Sequence, residues 1–141
     1  MKRIRLLVLL SVLAVALPVG ILSGVAKATG RTTTTGDQVS INQYADYDLP
    51  TLLQVGLQVR CYGGDGVATV QVTQTPPETP YPVTFGSSGQ PVVCDGKTRS
   101  VGVSIVGTGY DTGKALATAT LVVPSTGKTT VVKRQIVIRV V

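Results

Sequence analysis

The residues of this chain with the most specific chemistry are its two cysteines, Cys61 and Cys94. They could be a catalytic thiol and a bystander, a metal pair, or the two ends of one bridge. The sequence contains no histidine, which excludes Ser-His-Asp and Cys-His catalysis and every His-ligated metal site. Two cysteines alone cannot complete a structural zinc site. A thiol nucleophile would need an activating neighbour, and only Lys97 lies near Cys94 in sequence.

The carboxylates offer one further candidate site, Asp46 and Asp48 in the segment ADYDLP. An Asp-x-Asp pair in a loop can bind calcium through oxygen ligands. Such a site would need help from distant carboxylates, the candidates being Asp37, Asp65 and Asp111. The alternative is a solvated loop whose aspartates cap turns. We predict no enzyme activity, no cofactor and no metal site, with calcium binding at Asp46 and Asp48 as the alternative.

The N-terminus has the three parts of a secretory signal peptide. MKRIR is basic, LLVLLSVLAVAL is apolar, and VAKA supplies small residues at Ala26 and Ala28. We predict that residues 1–28 are a signal peptide and that the mature chain begins at Thr29. The alternative is an uncleaved anchor, because the apolar zone from Leu6 to Val25 is nearly long enough to span a bilayer.

Cleavage would remove most of the net positive charge. Nine basic and seven acidic residues remain, since four basic residues precede the cut: Lys2, Arg3, Arg5 and Lys27. With neither a basic stripe nor an aromatic stacking platform, we predict no nucleic-acid partner. We also predict no stable membrane insertion after cleavage. The predicted location is secreted or extracellular, with cell-wall association left open.

A polar spacer and a β-rich domain follow the cut. The segment TGRTTTTGD predicts a Thr-rich linker over residues 29–37, with an O-glycosylated stalk as the alternative. From residue 38 the hydrophobic period is two, for example in LLQVGLQVRC, GVATVQVTQ, YPVTF and KALATATLVV. Gly- and Pro-rich turns such as GGDG (63–66) and TPPETP (75–80) separate these runs. We predict an all-β, Ig-like antiparallel β-sandwich of about seven to eight strands over residues 38–141.

Two stretches resemble a family of small secreted Ig-like proteins of actinobacteria. They are RCYGGDGVATVQVTQ and VVCDGKTRSVGVSIVGTGYDTGKALATATL, and the similarity covers roughly residues 51–123. The resemblance implies the fold and secretion but no activity. The chain departs from the antibody pattern because it has no tryptophan and because its second cysteine precedes the fifth main strand. The bridge would therefore not be the usual one of an Ig domain.

An intramolecular Cys61–Cys94 disulfide is the prediction that best fits these patterns. Export delivers the chain to an oxidising compartment, where disulfides persist. The count of two allows only one pairing within the chain. Cys61 continues the apolar face of Leu57 and Val59, and Cys94 shares a face with Val92. Both side chains should therefore point into the core.

The predicted function is a non-enzymatic extracellular or cell-envelope module with an interaction or structural role. Candidate contact residues lie in or beside loops: Tyr44, Tyr47, Tyr81 and Tyr110. The alternative for these tyrosines is a lid over the end of the sandwich. Two other functions stay open, a protease inhibitor presenting loop 75–82 or 107–113, and a carrier of a small apolar ligand between the sheets. The partner, a protein or a cell-envelope component, is unknown.

Overall fold

The computed structural model describes residues 36–48, 51–86 and 89–141. The predicted signal peptide and most of the predicted linker lie outside these residues. The described chain is all-β, with eight strands: β1 (Gln38–Asp48), β2 (Leu52–Arg60), β3 (Tyr62–Gln74), β4 (Val83–Gly86), β5 (Gln90–Asp95), β6 (Arg99–Val106), β7 (Gly113–Val123) and β8 (Lys128–Val140). The predicted fold class and strand number are confirmed. No helix in the described part of the chain is long and apolar enough to cross a membrane.

The strand order is that of an Ig-like sandwich. Neighbouring strands follow the path β4-β3-β7-β8-β1-β2-β6, and β5 also pairs with β3. The groups β1-β2-β6 and β3-β7-β8 correspond to the A-B-E and C-F-G strands of the two Ig layers. β1 links the layers, because it pairs with β2 along its length and with β8 only near its end. That β1–β8 pairing is parallel, and every other pairing is antiparallel.

Period-two alternation places one face of each strand in a common core. In β2 and β7 every apolar residue of the predicted inward face is at most 5% exposed. The core is built mainly from aliphatic side chains, the largest fully buried ones including Ile41, Leu53, Leu57, Ile105, Leu121, Ile136 and Ile138. In β8 the predicted face holds for Ile136 and Ile138, whereas Val140 is half exposed at the end of the strand.

One turn prediction and one strand boundary were wrong at the level of individual residues. GGDG is not a turn, because β3 already begins at Tyr62 and the chain passes from β2 to β3 through Cys61 alone. Gly63 and Gly64 have φ angles of 113° and 95° and lie at a register shift between β3 and β5. Positive φ is readily available to glycine, so the pair forms a bulge inside the strand. YPVTF starts its strand only at Val83, which leaves Tyr81 in the preceding loop.

Candidate binding surfaces

The two cysteines form the predicted disulfide. Cys61 and Cys94 have a Cα–Cα distance of 4.4 Å, and both are almost fully buried. The bridge joins the end of β2 to β5, which differs from the usual B–F bridge of an Ig domain. Gly66 packs against it, because a Cβ added there would lie 2.9 Å from Cys94 Sγ. Neither thiol is free, so the catalytic-thiol and metal-pair alternatives do not describe these cysteines.

A polar network covers the outside of this bridge. The Gly96 N–H donates to the Cys61 carbonyl at 2.8 Å, and Arg60 Nε donates to the Gly96 carbonyl at 3.0 Å. The Arg60 guanidinium also donates to the Tyr62 hydroxyl at 2.7 Å, while the Tyr62 N–H donates to Asp37 Oδ1 at 3.0 Å. Asp37, the last residue of the predicted linker, is therefore attached to the folded domain. A surface groove of about 400 Å³ begins beside it.

The calcium candidates lie on a strand and not in a loop. Asp46 and Asp48 are both part of β1, and Asp46 Oδ1 accepts a hydrogen bond from Arg139 at 2.6 Å in an ion pair. The same guanidinium lies 4.5 Å from the ring centroid of Tyr44. Among the residues that the structure describes, no three Asp, Glu or Cys side chains come together as a metal-binding group. The geometry therefore gives Asp46 a cation partner from the protein itself.

The four tyrosines predicted as contact residues separate into two pairs. Tyr44 and Tyr81 are exposed, whereas Tyr47 and Tyr110 are only 6% and 7% exposed. The rings of Tyr47 and Tyr110 meet edge to face with centroids 6.1 Å apart, and Phe85 lies 4.4 Å from Tyr110. These three rings close one end of the core. Tyr47 and Tyr110 therefore match the lid alternative, and only Tyr44 and Tyr81 present surface to a partner.

The buried phenol of Tyr110 predicts a loss of stability at alkaline pH. Burial raises the pKa of Tyr110 above its ordinary value of 10.0. The folded protein keeps this proton where the unfolded chain loses it, so the contribution is intact below pH 10 and falls as the pH rises beyond it. Urea unfolding between pH 8 and pH 12 should show a steeper decline for the wild type than for Tyr110→Phe. Equal slopes would contradict the prediction.

Gln74 is a buried polar residue that the sequence analysis missed. Its side chain is 0% exposed at the end of β3. Its Nε2 donates to the Asp111 carbonyl at 2.8 Å, and its Oε1 accepts the Asp111 N–H at 2.9 Å. The signal was present, because Gln74 continues the inward face of Val70 and Val72. A polar residue at an inward position requires hydrogen-bond partners.

Loop 75–82, which follows Gln74, is held by hydrogen bonds between its own residues. The Glu78 N–H donates to the Thr75 carbonyl at 3.2 Å, and the buried Thr79 hydroxyl donates to the Tyr81 carbonyl at 2.7 Å. The Tyr81 side chain itself is 77% exposed. A loop held by its own hydrogen bonds thus presents one aromatic side chain to solvent.

The outward side of β3, β7 and β8 carries an exposed uncharged patch. Val67 lies opposite Val122, and Val131 lies opposite Thr120, the outward neighbour of Val122 on β7. The three valines are 37–54% exposed. We call this patch the valine–threonine face, defined by Val67, Thr69, Thr118, Thr120, Val122, Thr129 and Val131. On the same side of β8 as Thr129 and Val131, the next residue is Lys133, which lies opposite Thr118.

The fold and its bridge define the chain as a disulfide-bonded, Ig-like β-sandwich domain. No protein-family model matches the sequence, and no curated protein matches it. Solved structures with a similar backbone include a mutant β-glucosidase from Listeria innocua in complex with laminaribiose, with 13% identity and a TM-score of 0.41. Murine CRIg is another, with 13% identity and a TM-score of 0.40.

The extent of these similarities differs between the two structures. The match covers 73% of this chain and 16% of the β-glucosidase, and 74% of this chain and 98% of CRIg. This chain therefore spans about a sixth of the enzyme's length. Identities and scores at this level identify no family and carry no functional argument. The actinobacterial family suggested by the sequence stays a prediction.

Proposed function

We propose that this chain is a non-enzymatic, secreted Ig-like module that binds a protein partner outside the cell or in the cell envelope. The observation that carries the proposal is the valine–threonine face. Three valines there are partly exposed on a regular sheet, and the buried core of the domain is formed without them. Contiguous apolar patches on a protein surface commonly mark interaction sites.

The chemistry of the face specifies the partner. Uncharged Val and Thr side chains favour an apolar patch on the other protein, since burial of such surface drives association. Lys133 at the border of the face favours a carboxylate on the partner. The proposed partner is therefore a protein that presents aliphatic side chains beside an acidic residue.

Non-enzymatic function and secretion are supported by residues elsewhere in the chain. The absence of histidine and the pairing of both cysteines remove the commonest nucleophile–base arrangements. Asp46 and Asp95 are each paired with an arginine, and the Arg99 hydrogen bond holds the pKa of Asp95 below its ordinary value. The disulfide and the N-terminal signal pattern both favour an oxidising, extracellular compartment.

A second candidate function, protease inhibition, is favoured by loop 75–82. Rigid presentation of a side chain lowers the entropic cost of binding, and the internally hydrogen-bonded loop holds Tyr81 in solvent. Inhibition of a protease that cleaves after aromatic residues, lost in Tyr81→Ala, would support this function. The apolar-ligand carrier is not part of the proposal, because the inward side chains of the two layers form one packed core.

The proposed function is tested by placing a charge on the valine–threonine face. Val131→Glu should abolish capture of the partner from culture supernatant or cell wall, because binding would bury the new carboxylate against apolar surface. The matched control is Val106→Glu, an exposed valine at the end of β6 in the other layer. Both variants should fold, since both side chains already face solvent.

Mass spectrometry of the captured proteins gives the readout. A protein recovered by the wild type and by Val106→Glu, but not by Val131→Glu, is the expected result. Hydrogen exchange of the complex should then show protection in β7 and β8. Capture that survives Val131→Glu would contradict the role of the valine–threonine face.

A further inference from the structure

Strand β6 ends its layer with an unpaired edge. Its ladder with β2 runs without a register shift from Val59↔Arg99 to Leu52↔Val106. In the part of the chain that the structure describes, β6 pairs with no other strand. Alternate backbone N–H and C=O groups of an edge strand point away from its single neighbour. β6 therefore offers about half of its backbone groups to an additional strand.

This edge lacks the devices that usually protect sheet edges. Edges are commonly blocked by prolines, lysines, bulges or very short strands. In the opposite layer β4 has only four residues and β5 contains Pro91. β6 has eight residues, RSVGVSIV, with neither proline nor lysine. Its one charge, Arg99, lies at the first position and is held by Asp95 at 2.6 Å.

The outward side of β6 is small and uncharged. Ser100 and Ser104 are hydrogen-bonded to Gln58 and Gln54 of β2, at 2.9 Å and 3.0 Å. Between the serines, a Cβ added to Gly102 would meet nothing within 4 Å. The inward residues Val103 and Ile105 are fully buried in the molecule's own core. These inward side chains are therefore already buried in their own core, and what the edge lacks is a partner for its outer backbone groups.

The sequence of the edge strand is self-complementary. Residues 100–104 read SVGVS, which is the same in both directions. An antiparallel pair centred on Gly102 would place Ser100 opposite Ser104 and Val101 opposite Val103. Inward faces would match inward faces, and Arg99 would lie opposite Ile105 and not opposite a second cation. A two-fold interface requires this kind of self-complementarity.

We propose that β6 pairs antiparallel with β6 of a second copy of this chain, across a two-fold axis at Gly102. The pairing would join the β1-β2-β6 layers of two copies into one continuous sheet. It would leave the valine–threonine face, which belongs to the other layer, open on each copy. The proposal is thus independent of the proposed function.

Cysteine cross-linking tests this register directly. Residues directly opposite in an antiparallel pair have Cα atoms about 4.5–5.5 Å apart, and disulfides form between Cα atoms about 4.4–6.8 Å apart. Gly102→Cys should therefore give a disulfide-linked dimer as the main species under mild oxidation. Ser100→Cys should form no disulfide-linked dimer, because its opposite residue is Ser104. The native cysteines do not interfere, since they are bonded to each other.

Sedimentation velocity without cross-linking provides a second measurement. The wild type should show a concentration-dependent dimer, and Gly102→Lys should be monomeric because two lysines would lie directly opposite each other. Gln54→Lys, one strand further in on the same layer, is the matched control and should dimerise like the wild type. Circular dichroism checks that each variant is folded.

The outcomes separate this proposal from the alternatives. A monomeric wild type at all concentrations, or equal cross-linking of Gly102→Cys and Ser100→Cys, would overturn it. Dimerisation that survives Gly102→Lys would also overturn it, because the contact would then lie elsewhere. Val131→Glu should leave the dimer intact, so failure of the proposed function would be distinguishable from failure of the β6 pairing.

Discussion

Replacing Cys61 and Cys94 together with alanine is expected to lower the free energy of unfolding by about 4 kcal/mol. The bridge closes a loop across a sequence separation of 33 residues, and the chain-entropy relation for a loop of that size gives about this value. Native domains are stable by only about 5–15 kcal/mol. The bridge is therefore expected to supply a large share of the stability of a domain with one phenylalanine and no tryptophan.

Denaturant unfolding of three species measures this contribution. The oxidised wild type, the reduced wild type and the double alanine variant should differ in midpoint, with the oxidised form well above the other two. The reduced wild type is the control for packing, because it keeps both sulfur atoms while opening the loop. If reduction leaves the midpoint unchanged, loop closure does not stabilise this domain. Coincident CD and fluorescence transitions would justify the two-state treatment.

The core could be predicted from the sequence because the alternation of residues along each strand indicates which side faces inward. Leu53, Val55 and Leu57 alternate with polar residues, and the same rule identified Val92 beside Cys94. The alternation of apolar residues, taken together with the count of two cysteines, was sufficient to predict the disulfide. These predictions depend only on the local hydrophobic period and on the redox compartment, and both can be inferred from the sequence.

Features that depend on which strands meet could not be predicted in this way. The parallel β1–β8 pairing joins residues about ninety positions apart, and nothing in the period of either strand indicates the partner. Tyr110 is buried although it lies in a Gly-rich loop, because Tyr47 and Phe85 reach the same end of the sandwich. The unpaired edge of β6 likewise becomes visible only once the strand order is known.

The burial of Gln74 could also have been predicted from the sequence. Its position on the inward face of β3 indicates burial, and burial of an amide requires a donor and an acceptor nearby. The structure supplies both from one residue, Asp111, whose backbone N–H and C=O bond to the same side chain. The amide thus fixes the loop before β7 to the end of β3.

Gln74→Leu is expected to lower the free energy of unfolding by about 2 kcal/mol, because its two hydrogen bonds to the backbone of the exposed residue Asp111 would be lost at about 0.5–1.5 kcal/mol each. The matched control is Gln71→Leu, an outward and exposed position on the same strand, which should change stability by no more than about 0.5 kcal/mol. Chemical denaturation of both variants measures the difference, and equal losses would contradict the role assigned to the amide.

Gln74→Glu separates lost hydrogen bonds from lost packing, because its shape is nearly that of glutamine. A carboxylate keeps the acceptor for the Asp111 N–H but has no proton to donate to the Asp111 carbonyl. Burial beside that carbonyl would raise the pKa of the new carboxyl in the folded state. Its neutral form would then stabilise the fold below the unfolded pKa of about 4.3, and this contribution would be lost as the pH rises through the folded pKa. Gln74→Glu should therefore approach wild-type stability near pH 4 and fall towards Gln74→Leu near pH 7. A variant as stable as the wild type at both pH values would show that the donor bond to Asp111 contributes nothing.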